Sequence, residues 1–221
     1  MDVYEAVTSR RAVRGFTDEP VPREVLERVL TAAGNAPSGS NIQPWRIYVV
    51  TGAPLAQLKK VATERVESKD LWDEREYVMY PDDLKSPYSD RRSAFGRDRY
   101  GALGIERGDW DAIQRAAIAN WNCFGAPAAL FCYIDRDLGR PQWSDLGMYL
   151  QTVMLLLRAE GLSSCPQMAW SQVRKSVAEA VSPPDELMLF CGMSIGYEDT
   201  TVDFVRNARA PLDETVTFVE G

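Results

Sequence analysis

Ser9-Arg10-Arg11-Ala12-Val13-Arg14 and, a short way on, Pro37-Ser38-Gly39-Ser40-Asn41-Ile42-Gln43-Pro44-Trp45 are the stretches whose reading decides the fold. At helical spacing the first sets three guanidinium groups within about a turn and a half. Guanidinium forks bind phosphate and polarised carbonyls bidentately. The second is a turn-rich loop running into an apolar strand. Its Pro-Ser-Gly-Ser-Asn run offers bare backbone N–H groups and small side chains to a flat or anionic ligand. Together they point to the site of a phosphorylated cofactor.

The chain has 221 residues and a net charge of -7. That length supports one sizeable domain with its own core. The acidic balance argues against nucleic acid or an anionic membrane as partner. No apolar run approaches a membrane span. The amphipathic start, Met1-Asp2-Val3-Tyr4-Glu5, does not read as a signal peptide. Arginine clusters on an acidic protein stand out as anion sites, the alternative being that they are solvated or paired with carboxylates. Cys123, Cys132, Cys165 and Cys191 form no C-x-x-C pair and sit beside apolar residues. They read as buried thiols of a reducing cytoplasm, with Cys165 the candidate for a reactive one. The chain contains no histidine. Histidine triads, histidine metal sites and imidazole acid–base catalysis are therefore excluded, and the chemistry falls to a cofactor. No metal ligand set and no catalytic side chain is expected.

Along the chain, helices are expected over 2–9, 22–33, 54–68, 111–123, 144–160 and 170–181. Strands are expected over 46–50, 128–134 and 186–192, and a strand-like run over 215–219. The helix over 144–160 is apolar nearly all round, so it belongs to a core and a subunit interface. The stretch from about 67 to 112 is dense in charge yet carries Trp72, Tyr77, Tyr80, Tyr88, Phe95, Tyr100 and Trp110. It reads as short helices and loops forming a lid or a dimer wrap. Nothing repeats, and the whole of 1–221 reads as one domain with this insertion.

In order, Ser9–Phe16, Pro37–Trp45, Ala126–Tyr133, Gly161–Trp170, Cys191–Tyr197 and Arg206–Thr217 resemble the nitroreductase superfamily, in particular its nitrobenzoate-reductase type. The resemblance covers essentially the whole chain. It implies an α+β (α/β) fold in which a mainly antiparallel sheet is flanked by helices, in an intertwined homodimer with FMN at the interface. It also implies the residues that hold FMN. Arg10, Arg11 and Ala12 fall at the phosphate and ribityl segment, with Ala12 departing from the family's usual serine. Arg209, and less strongly Arg206, fall at the C-terminal phosphate position, where a solvated surface charge is the alternative. Arg14 matches a basic position near the pyrimidine edge, where a fixed cation favours the anionic reduced flavin. Asn122 or Asn120 would donate to that edge. Asp145 would accept a ribityl hydroxyl. Pro166 would pack on one flavin face, with Gln167 beside it and the N–H groups of Met168 and Ala169 at the ring. Pro37, Ser38, Gly39 and Asn41 would come from the partner subunit.

The activity implied is reduction of nitroaromatic or quinone compounds with NAD(P)H as donor, by two-electron ping-pong transfer through the flavin. The lid aromatics would stack on a small aromatic substrate. Arg91, Arg92, Arg97 and Arg99 would attract its carboxylate or nitro group, snorkelling surface arginines being the alternative. Two other readings stand beside it. One is another flavin reaction on the same fold: reductive dehalogenation, enone reduction or ring dehydrogenation. Glu76 and Tyr80, four residues apart, resemble the lid of deiodinating relatives. The other is a flavin-free anion-binding protein.

Overall fold

The computed structural model describes residues 1–68 and 73–220. Among them, four strands form one antiparallel sheet in the order β1-β2-β4-β3: β1 (Arg46–Thr51), β2 (Ala128–Asp135), β4 (Leu187–Gly196) and β3 (Ser163–Gln167). Central strand β2 is covered on both faces, which is why its sequence is a near-continuous apolar run. Its alternate residues enter different cores. Ala129, Phe131 and Tyr133 pack with α3 (Gly52–Glu67) and α7 (Arg174–Val181). Leu130, Cys132 and Ile134 pack with α2 (Arg23–Ala33) and α6 (Arg140–Ala159).

The pairing of β2 with β4 shifts between Cys132 and Tyr133, so that Cys132 faces Cys191 but Tyr133 faces Leu189. Phe190 is the extra residue of this bulge. It reverses the parity of β4, as a one-residue insertion must. Leu187 and Leu189 point to the α3 and α7 face, whereas Cys191, Met193 and Ile195 point to the α2 and α6 face. The Phe190 carbonyl accepts the Tyr77 hydroxyl, and Tyr77 packs edge-on against Trp143. The bulge thus anchors the beginning of the insertion.

Several elements depart from the sequence expectations, each for a local reason. Strand β3 is not among the strands expected from the sequence. Pro166 is tolerated because β3 is an edge strand. Helix α6 begins at Arg140, since Pro141 sits in its first turn and the Gln142 side chain accepts the Gly139 N–H at 3.2 Å. The helix expected over 111–123 is α5 (Trp110–Ile118). It gives way to a turn in which Cys123 and Phe124 both hold positive φ, 51° and 52°. The helix expected over 170–181 starts as a 3-10 turn, Met168–Val173, and becomes α-helical only at Arg174. The insertion carries one 15-residue helix, α4 (Tyr88–Ala102); Trp72 lies outside the described residues. Thr215–Val219 has strand composition but no strand beside it among the described residues.

Gly192 fixes the closest packing in the sheet. A Cβ there would lie 2.5 Å from Trp170 Cδ1 and 3.2 Å from Phe131 Cε1. Both rings are fully buried and meet edge-to-face with centroids 5.2 Å apart, so neither can retreat. Gly192→Ala is expected to destabilise the fold by about 1–3 kcal/mol through overpacking. A urea midpoint equal to that of the parent protein would refute this.

Candidate functional site

Helix α1 (Val3–Ser9) ends where Arg10 turns extended, its N–H still bonded to the Ala6 carbonyl at 3.1 Å. From there the chain does not continue as a helix. The Arg10–Thr17 ribbon lies along the sheet end: the Val13 N–H bonds Ser164 O, Phe16 N–H bonds Phe124 O, and Thr17 N–H bonds Tyr197 O, at 3.0–3.1 Å. Val13 and Phe16 enter the core, while Arg10, Arg11, Ala12 and Arg14 line a cleft of about 880 Å³. The guanidinium groups are thus assembled by an extended ribbon rather than by a helical turn.

The other walls come from α4, α5 and the C-terminal segment, which contributes Val202, Phe204, Arg206 and Arg209 among others. The cleft is strongly cationic. Burial, and then the charge of Arg209, lower the Arg10 pKa from its ordinary value. Burial, then Arg158 and Arg206, do the same to Arg11. Arg11 has a counter-ion: it pairs with Glu198 and stacks 3.4 Å over the Phe204 ring. Glu198 also accepts the Ser163 hydroxyl at 3.4 Å, and Ser163 accepts from Arg158 at 3.3 Å. Arg206 donates to the Thr8 carbonyl. Arg209 donates to the carbonyls of Asn207 and Ala208, at 2.9 and 3.3 Å. Arg14 donates weakly to Ala12 O at 3.4 Å and lies 5.5 Å from the Phe95 ring centroid. Arg99, from α4, has a buried Nε without a hydrogen-bond partner.

Glu198 and Phe204 were not signalled by the sequence. An acid inside an arginine cluster runs against the charge argument, and a lone phenylalanine in a polar tail has no periodicity to read.

The remaining candidate residues lie elsewhere. Pro37, Ser38, Gly39 and Asn41 do not line this cleft. Their loop is tied to α6 instead, where the Gly39 N–H reaches both Asp145 carboxylate oxygens at 3.3 Å. Asp145 is buried there, so it organises the loop rather than facing Arg10. Ser40, Asn41 and Gln43 all hold positive φ, between 49° and 57°. Three such non-glycine residues in four positions make this a strained loop of the kind found at ligand clamps.

Asn122 is exposed, and Pro166 is exposed on β3. Gln167 is buried. It accepts from Ser194 and from Trp170 at 3.4 Å, and donates to Asn120 O at 2.6 Å, so its side chain serves the core. Met168 and Ala169 open the 3-10 turn, where N–H groups have no intrahelical acceptor. Cys165 is not a reactive thiol. It is buried and its pKa is pushed up to about 11, burial outweighing the attraction of Arg14 and Arg99. Glu76 is bonded to Arg136 at 2.6 Å, and Tyr80 is exposed.

Of the insertion aromatics in the described residues, Phe95 alone lines the cleft. Tyr77 is built into the core, while Tyr80, Tyr88 and Trp110 face solvent.

The Nitroreductase family model matches residues 7–197. The 4-nitrobenzoate reductase of Pseudomonas putida is 36% identical, over 94% of this chain and 91% of its own. The FMN and NADPH-dependent nitroreductase NfnB from sphigopyxis sp. strain HMH superposes with a TM-score of 0.95 at 37% identity, over 100% of both chains. The FMN-dependent NfnB from Mycobacterium smegmatis, solved in complex with NADPH, superposes with a TM-score of 0.93 at 32% identity, covering 98% of this chain and 97% of its own. By this match over most of its length, in sequence and in backbone, the chain belongs to the nitroreductase family.

Proposed function

We propose that the protein is an FMN-dependent NAD(P)H oxidoreductase that reduces nitroaromatic compounds. One observation carries this reading: a cleft of about 880 Å³ in an acidic protein is ringed by guanidinium groups, of which Arg11 alone among the described residues is paired with a carboxylate. Its volume suits a ligand of cofactor size. The donor set fits FMN. Arg10 and Arg209 would hold the phosphate, with Arg206 and Arg11 beside them, and Arg14 would hold the pyrimidine edge. Ala12 offers no hydroxyl, so the arginines carry the phosphate alone. Pro166 and the N–H groups of Met168 and Ala169 would hold the ring, with Asn122 at its margin. When bound, FMN supplies two-electron transfer between the nicotinamide and the nitroaromatic compound. The chain positions the cofactor, fixes positive charge beside it and excludes water with α4. None of its side chains is required as an acid or base.

The protein is further proposed to act as a homodimer with FMN at the interface. Its C-terminal arm leaves Phe218 and Val219 72% and 93% exposed, and α6 leaves Met148 exposed, as expected of surfaces that a second copy covers. The strained Pro37–Asn41 loop, held by Asp145, would then approach the partner's cofactor. No helix among the described residues is long and apolar enough to cross a membrane. With four buried thiols, the cytoplasm is the proposed compartment.

The test is an anaerobic visible spectrum. A flavin spectrum that bleaches with NADPH and returns with 4-nitrobenzoate is the expected result. Bleaching without return would move the assignment to another flavin reaction. A protein that takes up no FMN would leave an anion-binding protein of another kind.

A further inference from the structure

Two turns of the chain are braced against each other through side chains. The first, residues 119–124, follows α5, and its Ala119 and Phe124 line the cleft. The second is the 3-10 turn Met168–Val173. It follows β3, which lies along the arginine ribbon through the bond from Val13 N–H to Ser164 O. Gln167 Nε2 donates to Asn120 O at 2.6 Å, and Trp121 Nε1 donates to Ala169 O at 3.3 Å. A side chain from each segment thus holds the backbone of the other.

The Gln167 amide has one possible orientation. Trp170 Nε1 can only donate and Asn120 O can only accept, so Oε1 faces Trp170 and Ser194 while Nε2 faces Asn120. Gln167, Ser194, Trp121 and Trp170 are all buried. An apolar side chain of the same volume would fill this space equally well. It would leave the Asn120 carbonyl, the Ser194 hydroxyl and the Trp170 N–H without this partner. What the amide adds is direction, since it fixes where one turn stands relative to the other. The first turn needs such fixing. Cys123 and Phe124 hold positive φ, 51° and 52°, and strained backbone persists only where its surroundings over-determine it.

We propose that Gln167 and Trp121 are positioning residues that tune the flavin potential through the backbone they hold rather than by contact with the ring. This rests on the FMN-dependent reading above. In that reading the N–H groups of Met168 and Ala169 hold the ring from the second turn, and Asn122 meets its margin from the first. The brace keeps these donors at one spacing. Donors held in place stabilise the electron-rich reduced ring more than the oxidised one. Slack in the brace therefore weakens the binding of reduced FMN more than that of oxidised FMN.

The test compares Gln167→Met and Trp121→Phe with the parent protein, each loaded with FMN. The Kd of oxidised FMN and the two-electron midpoint potential are measured at equilibrium, the potential against a reference dye. Each variant is expected to bind reduced FMN about tenfold more weakly relative to oxidised FMN, which lowers the potential by about 30 mV. Val29→Ala, which opens a cavity in the core on the other face of the sheet, is the control for stability. It is expected to lower the urea midpoint and keep the potential. The proposal is overturned if either variant keeps or raises the parent potential, or if Val29→Ala lowers it as far for an equal loss of urea midpoint. Should Gln167→Met not fold, the milder Trp121→Phe decides alone. A parent protein that takes up no FMN overturns the nitroreductase reading and this proposal with it. Flavin-loaded variants with the parent potential overturn this proposal alone.

Discussion

Arg10→Ala is expected to weaken FMN binding by about 1.5–3 kcal/mol, roughly tenfold to 150-fold in Kd, while riboflavin binding stays the same. Arg10 is placed by the end of α1, which fixes its backbone through Ala6 O. Among the described residues its guanidinium has no carboxylate partner, and burial and Arg209 both disfavour its charge. A phosphate relieves both penalties at once, and the relief appears as affinity. Arg11 differs. It is already neutralised by Glu198 and stacked on Phe204, so its removal costs order in the C-terminal segment as well as affinity. Riboflavin lacks only the phosphate, so it separates phosphate contact from general damage to the cleft. Equal losses for FMN and riboflavin would remove Arg10 from the phosphate site. The difference should also shrink as salt is added, because salt screens the attraction between Arg10 and the phosphate.

The parts of this architecture legible in the sequence are those that depend on local pattern. The uninterrupted apolar run Ala128–Ile134 announces a strand buried on both faces, and Pro22 with Gly34 brackets α2. The cationic character of the site follows from counting arginines on an acidic chain. What stayed hidden depends on contacts between distant segments. The Phe190 bulge flips the inward face of half of β4, and nothing in Leu189-Phe190-Cys191 marks it. The ribbon conformation of Arg10–Arg14 is imposed by bonds to Ser164 and Phe124, more than a hundred residues away. The resemblance makes Asp145 a ribityl acceptor, whereas the structure bonds it to the Gly39 amide. The four arginines of α4 are alike in sequence. Only their orientation around the helix turns Arg99 into the cleft and leaves the others at the surface.

Asp73→Ala is expected to cost about 1–3 kcal/mol of stability, because it removes a buried acceptor shared by the Lys175 N–H and the Arg65 fork. The Asp73 carboxylate is fully buried. It accepts from Arg65 Nη1 and Nη2 at 3.2 and 2.8 Å, and from the Lys175 N–H at 2.8 Å. Its own N–H bonds Gln172 O at 2.9 Å. Arg65 lies in the last turn of α3 and Lys175 in the first turn of α7, so one side chain staples two helices on the same sheet face. Alanine leaves the Lys175 N–H and the Arg65 fork without this acceptor. Asparagine keeps one carbonyl and should lose less.

The acid dependence has a definite sign. Burial alone would raise the Asp73 pKa, but the bonds from Arg65 and Lys175 outweigh it and hold the group below its ordinary value of 3.8. A carboxylate with a depressed folded pKa stabilises fully above the unfolded value. That contribution disappears as pH falls through the folded one. The parent protein should therefore lose this part of its stability below about pH 4, and Asp73→Ala should lack that part of the decline. Because Gln172 belongs to the turn that begins at Met168 and Ala169, loosening the staple should also weaken FMN binding without touching the arginine cleft. Parallel stability–pH curves for the two proteins, offset by a constant, would show that Asp73 has the same pKa in the folded and unfolded states and would dismiss the ion-pair account.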